Sequence, residues 1–319
     1  MNRFIPDPFI PILLATVVLA SLFPASGHAA TQLNVAATAA VMLLFFLHGV
    51  KLPRENLVAA LVNWRLHLFI LATTYLLFPL IGLALSKLWP SLLPANLWAG
   101  VLFLCALPST VQMSIAFTSM ARGNVAASVT AAAASNLLGI VFTPLIAGAL
   151  LHAQGSGSVP LSGIWKVVLQ LLLPFLVGHL LRPALAEWAA RRKQLLSWSD
   201  RLTILLSVYS AFSAAVIDGI WSRIPVTTLL VTAAVCAAML TTVMLFALKG
   251  ARLAGFSPDE QRSALYCGAF KSVVSGVPMA RVLFPAAEIG AMILPLMMYH
   301  QLQMMVSATL APRQAKQAT

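Results

Sequence analysis

The chain has 319 residues, of which 60% are hydrophobic and only 9% are charged. Soluble domains carry roughly 25% charged residues, so a mean hydropathy of +0.92 excludes an ordinary soluble protein. The net charge of +12 comes from lysines and arginines in short segments between apolar runs. This distribution is typical of membrane topology signals and not of a nucleic-acid-binding surface.

Apolar runs predict a single all-α membrane domain over residues 1–319, with ten transmembrane helices of about 20 residues each. The ten runs cover 8–25, 33–50, 66–86, 97–119, 124–151, 162–181, 202–220, 226–248, 262–283 and 287–310. The first run has features of a signal peptide. However, Pro6, Asp7 and Pro8 interrupt its basic region, so we expect an uncleaved span.

The charge distribution predicts the orientation of the spans. With the N-terminus inside, fifteen of the 20 lysines and arginines lie on the inner side and four on the outer side, while Lys271 lies within a span. Inner loops carry an excess of basic residues. We therefore expect both termini in the cytoplasm, in a bacterial inner membrane.

A Gly/Ser-rich connector at 151–161 divides the ten spans into five plus five. The two predicted repeats are 1–152 and 160–312. Because five is an odd number, the second half inserts with the opposite orientation, as in the inverted repeats of many secondary transporters.

The fourth and ninth spans contain matching interruptions. The fourth reads LPSTVQMS at 107–114 and the ninth reads SVVSGVPM at 272–279. Proline breaks the helical hydrogen-bond ladder, and freed backbone groups are tolerated in a membrane only where protein or water satisfies them. A matched pair of broken spans indicates a transport site; two ordinary proline kinks are the alternative interpretation.

Lys271 lies just before the second interruption. A lysine at mid-membrane costs roughly 2.5–3.5 kcal/mol on insertion scales. It follows Arg262 by nine residues, or about 13 Å of helix, which is too deep for its side chain to reach the surface easily. We expect the carbonyl end of the first half of the ninth span to compensate this charge.

Five stretches match a known family: FFLHGVKL (45–52), ALPSTVQMSIAFTSMARGNVAASV (106–129), ASNLLGIVFTPL (134–145), YCGAFKSVVSGVPMA (266–280) and MMYHQLQ (297–303). Through them the chain resembles the bile acid:sodium symporter superfamily, in particular the sodium–bile-acid-symporter-like branch that includes vertebrate solute carrier family ten member seven. The resemblance implies a core of helices in 66–151 and 226–310, with the fourth and ninth spans broken and crossing. Helices in 8–50 and 162–220 would form a panel. Substrate would bind between core and panel, and their relative motion would give alternating access.

The same resemblance implies an altered ion site. In the bile-acid symporters two sodium ions lie behind the crossing, bound by side chains that include a glutamate of the ninth span. The corresponding positions here are Thr74, Ser114, Ile115, Ser128, Ala132, Ala269 and Val273. Ala269 stands at the glutamate position, and Lys271 follows two residues later. Hard cations prefer anionic oxygen ligands, and we expect every Asp and Glu at a span end or in a loop. Lys271 is therefore expected to replace a sodium ion, either as a fixed charge or by gaining and losing a proton.

Other polar residues near the predicted crossing complete the candidate site. The candidate ion-coupling residues are Lys271, Thr74, Ser114, Ser128, Asn136 and Ser275. The candidate substrate-binding residues are Ser109, Thr110, Gln112, His300 and Gln301. For the serines, helix packing is the competing interpretation. Ser109 and Thr110 open the second half of the fourth span, whose free amides favour an anionic group.

The sequence thus favours a secondary transporter of a small organic anion, with bile-acid-like anions as one candidate class. Sodium or a proton is the expected coupling ion, and no other cofactor, metal or nucleic-acid partner is expected. Two alternatives stay open: a conventional sodium-coupled symporter, and a non-transporting regulator of calcium homeostasis, which the resemblance to vertebrate and fungal relatives permits. An enzyme is not expected, because the sequence has no HExxH motif and no intramembrane pair of aspartates.

Overall fold

The computed structural model describes residues 9–51, 63–154, 165–166, 168–217, 219 and 225–317. Within these ranges the regular structure is entirely helical, as the sequence predicts, and contains no strand. The α-helices are α1 (Phe9–Leu22), α2 (Gly27–Lys51), α3 (Trp64–Ala72), α4 (Phe78–Leu88), α5 (Ala95–Ala106), α6 (Gln112–Met120), α7 (Val125–Gln154), α8 (Leu173–Leu180), α9 (Arg182–Arg191), α10 (Lys193–Ile217), α11 (Val226–Leu253), α12 (Pro258–Ala269), α13 (Val273–Leu283) and α14 (Ala286–Lys316). A π-helical turn, Thr73–Leu77, joins α3 to α4, and another, Val168–Leu172, leads into α8.

Six helices of the described ranges are long and apolar enough to cross a membrane. They are 27–51, 64–88, 125–154, 194–217, 226–253 and 288–316. A seventh is added if the pair 168–180 and 182–191, bent by 92°, counts as one span. The chain is therefore a polytopic membrane protein, while the count of ten spans stays a prediction.

The predicted fourth and ninth spans are each two short helices separated by a non-helical break. The first break, Leu107–Val111, separates α5 from α6, and the second, Phe270–Ser272, separates α12 from α13. Neither passes as one continuous span, because the apolar stretch is interrupted near its middle. The first interruption is thus present at its predicted residues. The second lies at Phe270–Ser272, at the start of the predicted 272–279, and Pro278 lies inside α13.

One expectation about the acidic residues is wrong. The predicted seventh span, 202–220, begins nine residues earlier as α10, because the apolar face continues through Leu196. Asp200 therefore lies within a helix and is only 7% exposed. Its carboxylate accepts hydrogen bonds from Lys51 Nζ at 3.0 and 3.3 Å, which compensates the buried charge.

Ordinary capping motifs set the turns beside the broken helices. The chain leaves α11 through Gly255, whose φ of +77° is left-handed. Phe256 N–H then donates to Ala251 O, as in a Schellman motif. Ser257 and Glu260 form a capping box with Pro258 in the first turn of α12. Arg122, at φ +58°, makes the equivalent turn between α6 and α7.

The described helices fall into two compact units. The first unit comprises Met1–Lys51, Ser162–Pro225 and Val277–Ala291. The second unit comprises Leu52–Leu161, Val226–Gly276 and Met292–Thr319. The predicted repeats, core and panel stay predictions.

Glycines allow close helix packing in the first unit. A Cβ added at Gly49 would overlap the backbone of Phe175, and one added at Gly178 would overlap the backbone of Phe46. α2 and α8 therefore approach backbone to backbone through small residues, a packing mode that is common between membrane helices.

The second unit surrounds one wholly buried helix. Every residue of α5 from Leu97 to Ala106 is buried. A helix that is apolar on all sides belongs in the interior. This burial places the carbonyl end of α5 deep in the protein, where the first break begins.

Candidate functional site

The two breaks meet inside the second unit. Ser272 N–H, in the second break, donates to the carbonyl oxygen of Pro108, in the first break, at 3.1 Å. A Cβ added at Gly276 would lie 2.6 Å from side-chain atoms of Leu107 and Leu296. The chain therefore needs glycine at position 276 for α13 to begin this close to the first break.

Lys271 projects from the second break into a cage of backbone carbonyls. Its Nζ donates to Leu107 O at 2.7 Å, to Thr74 O at 2.9 Å and to Cys105 O at 3.0 Å. The residue is fully buried, at 0% exposure. Its Nζ also lies 4.1 Å from the ring centroid of Phe78, a distance at which the aromatic face attracts a cation.

The source of the carbonyls corrects one expectation. We expected the end of the lysine's own half-helix to compensate its charge, whereas two of the three acceptors end the other broken helix, α5. The third comes from the π-helical turn at Thr74. The last carbonyls of α5 have no partner within their own helix. They accept hydrogen bonds from Lys271, and in return they compensate its buried charge.

Gln303 of α14 fixes the backbone of Lys271. Its Oε1 accepts the Lys271 N–H at 2.9 Å and its Nε2 donates to the Lys271 carbonyl at 3.1 Å. Gln303 Nε2 also lies 2.9 Å from His300 Nδ1. One turn away, Tyr299 Oη donates to Ala269 O at 2.8 Å. The polar face of α14 thus replaces the helical hydrogen bonds that the second break loses.

Asn136 of α7 connects the two breaks. Its Nδ2 donates to Ser109 O at 2.7 Å, and its Oδ1 accepts from Ser275 Oγ at 2.7 Å. Beside it, Ser135 Oγ accepts the Ser109 N–H at 3.0 Å. Ser272 Oγ accepts the Ser275 N–H at 3.1 Å and so caps α13. The candidate residues Asn136 and Ser275 therefore lie at the crossing, together with Ser109.

Side chains also bond to backbone carbonyls beside the first break. Thr143 Oγ1 donates to Ala106 O at 2.9 Å. Tyr75 Oη donates to Ser135 O at 2.5 Å and holds the turn of α7 that receives Ser109. Water is absent from the hydrocarbon core, so the Thr143 bond replaces one that a continuous helix would give to Ala106 O.

Ser109 Oγ is the exception. The hydroxyl is buried and has no hydrogen-bond partner within the described part of the chain. α6 begins three residues later without a side-chain cap. An unsatisfied hydroxyl and a set of free helix amides thus occur together at the start of α6.

The other predicted site residues are less central. Ser114 Oγ, in α6, donates to the carbonyl of Thr110 in the first break. Ser128 Oγ donates to Thr118 Oγ1 at 3.0 Å, as helix-packing serines do. Gln112 is exposed at the start of α6, and Gln301 is half-buried on α14. Thr74 takes part through its carbonyl, while its hydroxyl bonds to Ile70 O.

Gln303, Thr143 and Tyr75 are the residues that the sequence interpretation missed. Gln303 carried a signal, since it is a polar residue in an apolar span, three positions after His300 and hence on the same helix face. Tyr75 and Thr143 are common residues in membrane helices, and nothing in the sequence marks them. The ranges that the structure describes contain no cluster of three His, Cys, Asp or Glu side chains suited to a metal ion.

Broken helices that meet inside an apolar helical protein, with a buried cation between them, are typical of secondary transporters. The comparisons agree with this class. The model of the SBF-like CPA transporter family matches residues 7–316, and the chain belongs to that family. It is a membrane transporter of the bile acid:sodium symporter kind.

Relatives cover almost the entire chain. It is 46% identical to the uncharacterized protein PA2026 of Pseudomonas aeruginosa, over 98% of this chain and 94% of the relative. It is 45% identical to the putative symporter YfeH of Escherichia coli, over 98% and 93%. It is 29% identical to sodium/bile acid cotransporter 7-B of Xenopus laevis, over 98% and 92%. The related proteins with functional names are transporters, a class distinct from enzymes.

Proposed function

We propose that the protein is a secondary transporter of a small organic anion in which the ammonium group of Lys271 takes the place of the coupling sodium ion. The observation that carries this proposal is the cage around Lys271 Nζ. Three carbonyl oxygens lie 2.7 to 3.0 Å from the nitrogen in a fully buried position. Neutral oxygens around one buried positive charge are also the type of ligand that an alkali or alkaline-earth cation uses in proteins.

The geometry favours a fixed charge over a lysine that exchanges a proton. The ammonium has three N–H donors, and each has a carbonyl acceptor. A neutral amine has only two N–H groups and would leave one buried carbonyl without a partner. No ion pair between described residues includes Lys271, so no carboxylate stands ready to take its proton.

The anion would bind at the start of α6. The free amides of a helix N-terminus attract negative charge, and the unpartnered Ser109 hydroxyl offers a further donor. Ser109 is tied to Asn136, and Asn136 to Ser275 at the start of α13. Substrate binding at Ser109 and Thr110 is thereby linked to both breaks, with Gln112, His300 and Gln301 as further candidate contacts.

The larger arrangement in this proposal comes from the sequence. It consists of ten spans in two inverted repeats, with a core that moves against a panel. Both termini lie in the cytoplasm of a bacterial inner membrane. Support comes from the two breaks at matching places in the two halves of the chain and from the basic residues on one side.

Exchange of labelled taurocholate across liposomes that contain the purified protein tests the function. The probe is chosen because vertebrate relatives are named sodium/bile acid cotransporters. We expect saturable exchange that is the same in sodium and in choline chloride, and that is lost in Lys271→Met. Lys249→Met is the matched control, since Lys249 is exposed near the end of α11.

Other outcomes would replace the proposal. Uptake that follows a sodium gradient would indicate a conventional sodium-coupled symporter. Uptake that follows a proton gradient and is lost in Lys271→Met would indicate a lysine that exchanges its proton. No movement of taurocholate or of any other organic anion would favour a non-transporting regulator.

A further inference from the structure

A half-buried cation lies in the first unit. Arg281 is in the last turn of α13 and is half-buried. Its Nη2 donates to Asn34 O at 3.0 Å and to Asn34 Oδ1 at 2.9 Å. Asn34 lies seven residues after the start of α2, or about 10 Å along the helix. The guanidinium is therefore bound at this distance from the start of α2, and not at the helix end itself.

Asn34 is itself held in place. Ser210 Oγ, on α10, donates to Asn34 Oδ1 at 2.8 Å. Thr38 Oγ1 donates to the Asn34 carbonyl at 2.8 Å. Ser210 precedes the last residue of α10 by seven positions, again about 10 Å of helix. Asn34 and Ser210 thus each lie about 10 Å from an end of their helix, and together these neutral residues orient one arginine.

The partners of Arg281 are all neutral. None of the ion pairs between described residues includes it. A guanidinium has five N–H donors, and the two bonds to Asn34 use a single nitrogen. Among the described residues, the buried side-chain atoms that have no hydrogen-bond partner include none from Arg281. Its remaining donors are therefore not enclosed in the protein interior. The Nε and Nη1 donors of Arg281 are therefore accessible to a ligand.

We propose that Arg281 provides this transporter with a second anion-binding position, in addition to the start of α6, which binds the carboxylate or sulfonate of the organic anion at another step of transport, and that Asn34 and Ser210 are its positioning residues. Asn34 uses both hydrogens of Nη2, so Nε and Nη1 are the remaining donors, and each can give one charge-assisted hydrogen bond to an anionic oxygen. A charged residue within an apolar helical segment is retained where it meets a substrate pathway. This inference rests on the proposed anion transport.

A lipid phosphate has the same chemistry as the soluble anion. We assign the site to the soluble anion because Arg281 is bound by Asn34, which Ser210 of a second helix holds in turn. An arginine that serves a lipid headgroup extends freely to the surface. The test separates these two sources.

Phenylglyoxal labelling of arginine, followed by peptide mass spectrometry, tests the site on the wild-type protein in dodecyl maltoside micelles, which contain no phosphate. We expect Arg281 to be labelled, and taurocholate to slow this labelling at least fivefold. Cholic acid methyl ester carries the same steroid without the charge and should give no protection. Arg252, exposed in the last turn of α11, is the internal control and should be labelled equally throughout.

Three results would overturn the proposal. Arg281 that stays unlabelled while Arg252 reacts would not be accessible to a ligand. Equal labelling with and without taurocholate, or equal protection by the methyl ester, would exclude an anion site. Protection by phosphatidylglycerol nanodiscs alone, with none from taurocholate in micelles, would assign the residue to lipid.

Transport by variants gives an independent measurement. We expect Arg281→Gln to raise the half-saturating taurocholate concentration for exchange at least tenfold, and Arg281→Lys to raise it less. Arg252→Gln should leave it unchanged. If taurocholate protects Arg281 from labelling but the protein exchanges no anion, the site is retained and the proposed transport is refuted. In the opposite case, the protein exchanges taurocholate, taurocholate does not protect Arg281 from labelling, and Arg281→Gln exchanges as wild type does. This result would refute the Arg281 site and leave the proposed transport in place.

Discussion

Two lysines of this protein lie in different surroundings. Lys51, at the end of α2, pairs with the carboxylate of Asp200 at 3.0 Å and keeps 30% of its side chain exposed. Lys271, in the second break, is fully buried and meets only carbonyl oxygens and the face of Phe78. The first arrangement is an ordinary ion pair beside a helix end. The second resembles a cation site in which the cation is covalently attached to the protein.

The two lysines also differ in the groups that each one connects. Removing Lys51 leaves Asp200 with His48, whose Nε2 is 3.9 Å away. Removing Lys271 leaves three buried carbonyls of two different segments without a donor. A lysine that satisfies carbonyls from α5 and from the π-helical turn organises the crossing, whereas Lys51 connects only two helices of the first unit.

The largest effect is expected for Lys271→Met. It removes three charge-assisted hydrogen bonds from buried acceptors, and we expect a loss of about 3–5 kcal/mol in the free energy of unfolding. Unfolding by sodium dodecyl sulfate in mixed micelles measures it. Lys249→Met, at an exposed position, should change the free energy by less than about 0.5 kcal/mol. Similar losses in both variants would show that the carbonyl cage contributes nothing specific.

An intermediate effect is expected for Asn136→Ala. The change leaves Ser109 O without one donor and Ser275 Oγ without its acceptor. The expected loss is about 2 kcal/mol, together with a marked decrease in exchange because the two breaks are no longer connected. Asn96→Ala, at an exposed asparagine of α5, is the matched control. If exchange by Asn136→Ala equalled that of wild type, the link between the breaks would have no functional role.

The smallest effect is expected for Lys51→Met. A partly exposed ion pair contributes about 1 kcal/mol or less, and salt weakens it. We therefore expect a small loss of stability in low salt that shrinks further at high salt, with exchange unaffected. The Lys271→Met loss should not depend on salt in this way, because its site is fully buried. A Lys51→Met loss as large as that of Lys271→Met would remove the contrast between the two lysines.

Much of the fold follows from apolar periodicity and helix breakers. The long helices α7 and α11 lie at the predicted 124–151 and 226–248 within a few residues. The first break contains the predicted Pro108, which cannot maintain the helical hydrogen bonds there. The second break precedes its predicted proline, because Pro278 lies inside α13. The start of α10 precedes the predicted 202–220, because residues 193–201 are too polar to be counted in the apolar run. A partly exposed partner from α2, Lys51, compensates the buried carboxylate of Asp200.

The sequence predicts several residues of the candidate site, but it does not predict which groups they contact. Lys271, Asn136 and Ser275 stand out as polar residues in apolar spans, and the structure brings them to one crossing. Which carbonyls meet Lys271 depends on how α5 packs against α12 and the π-helical turn, and no local pattern encodes this. Backbone carbonyls are present at every residue, so a sequence gives no sign of the ones that form a cage.

Sodium dependence of thermal stability tests the replacement of sodium by Lys271 most directly. The melting temperature would be measured for wild type, Lys271→Ala and Lys271→Met, in sodium chloride and in choline chloride. We expect wild type to melt at the same temperature in both salts. Lys271→Ala empties the cage, so sodium should restore part of its lost stability, whereas the larger side chain of Lys271→Met should block that rescue. Stabilisation of wild type by sodium over choline would contradict the claim that the lysine occupies the cation site.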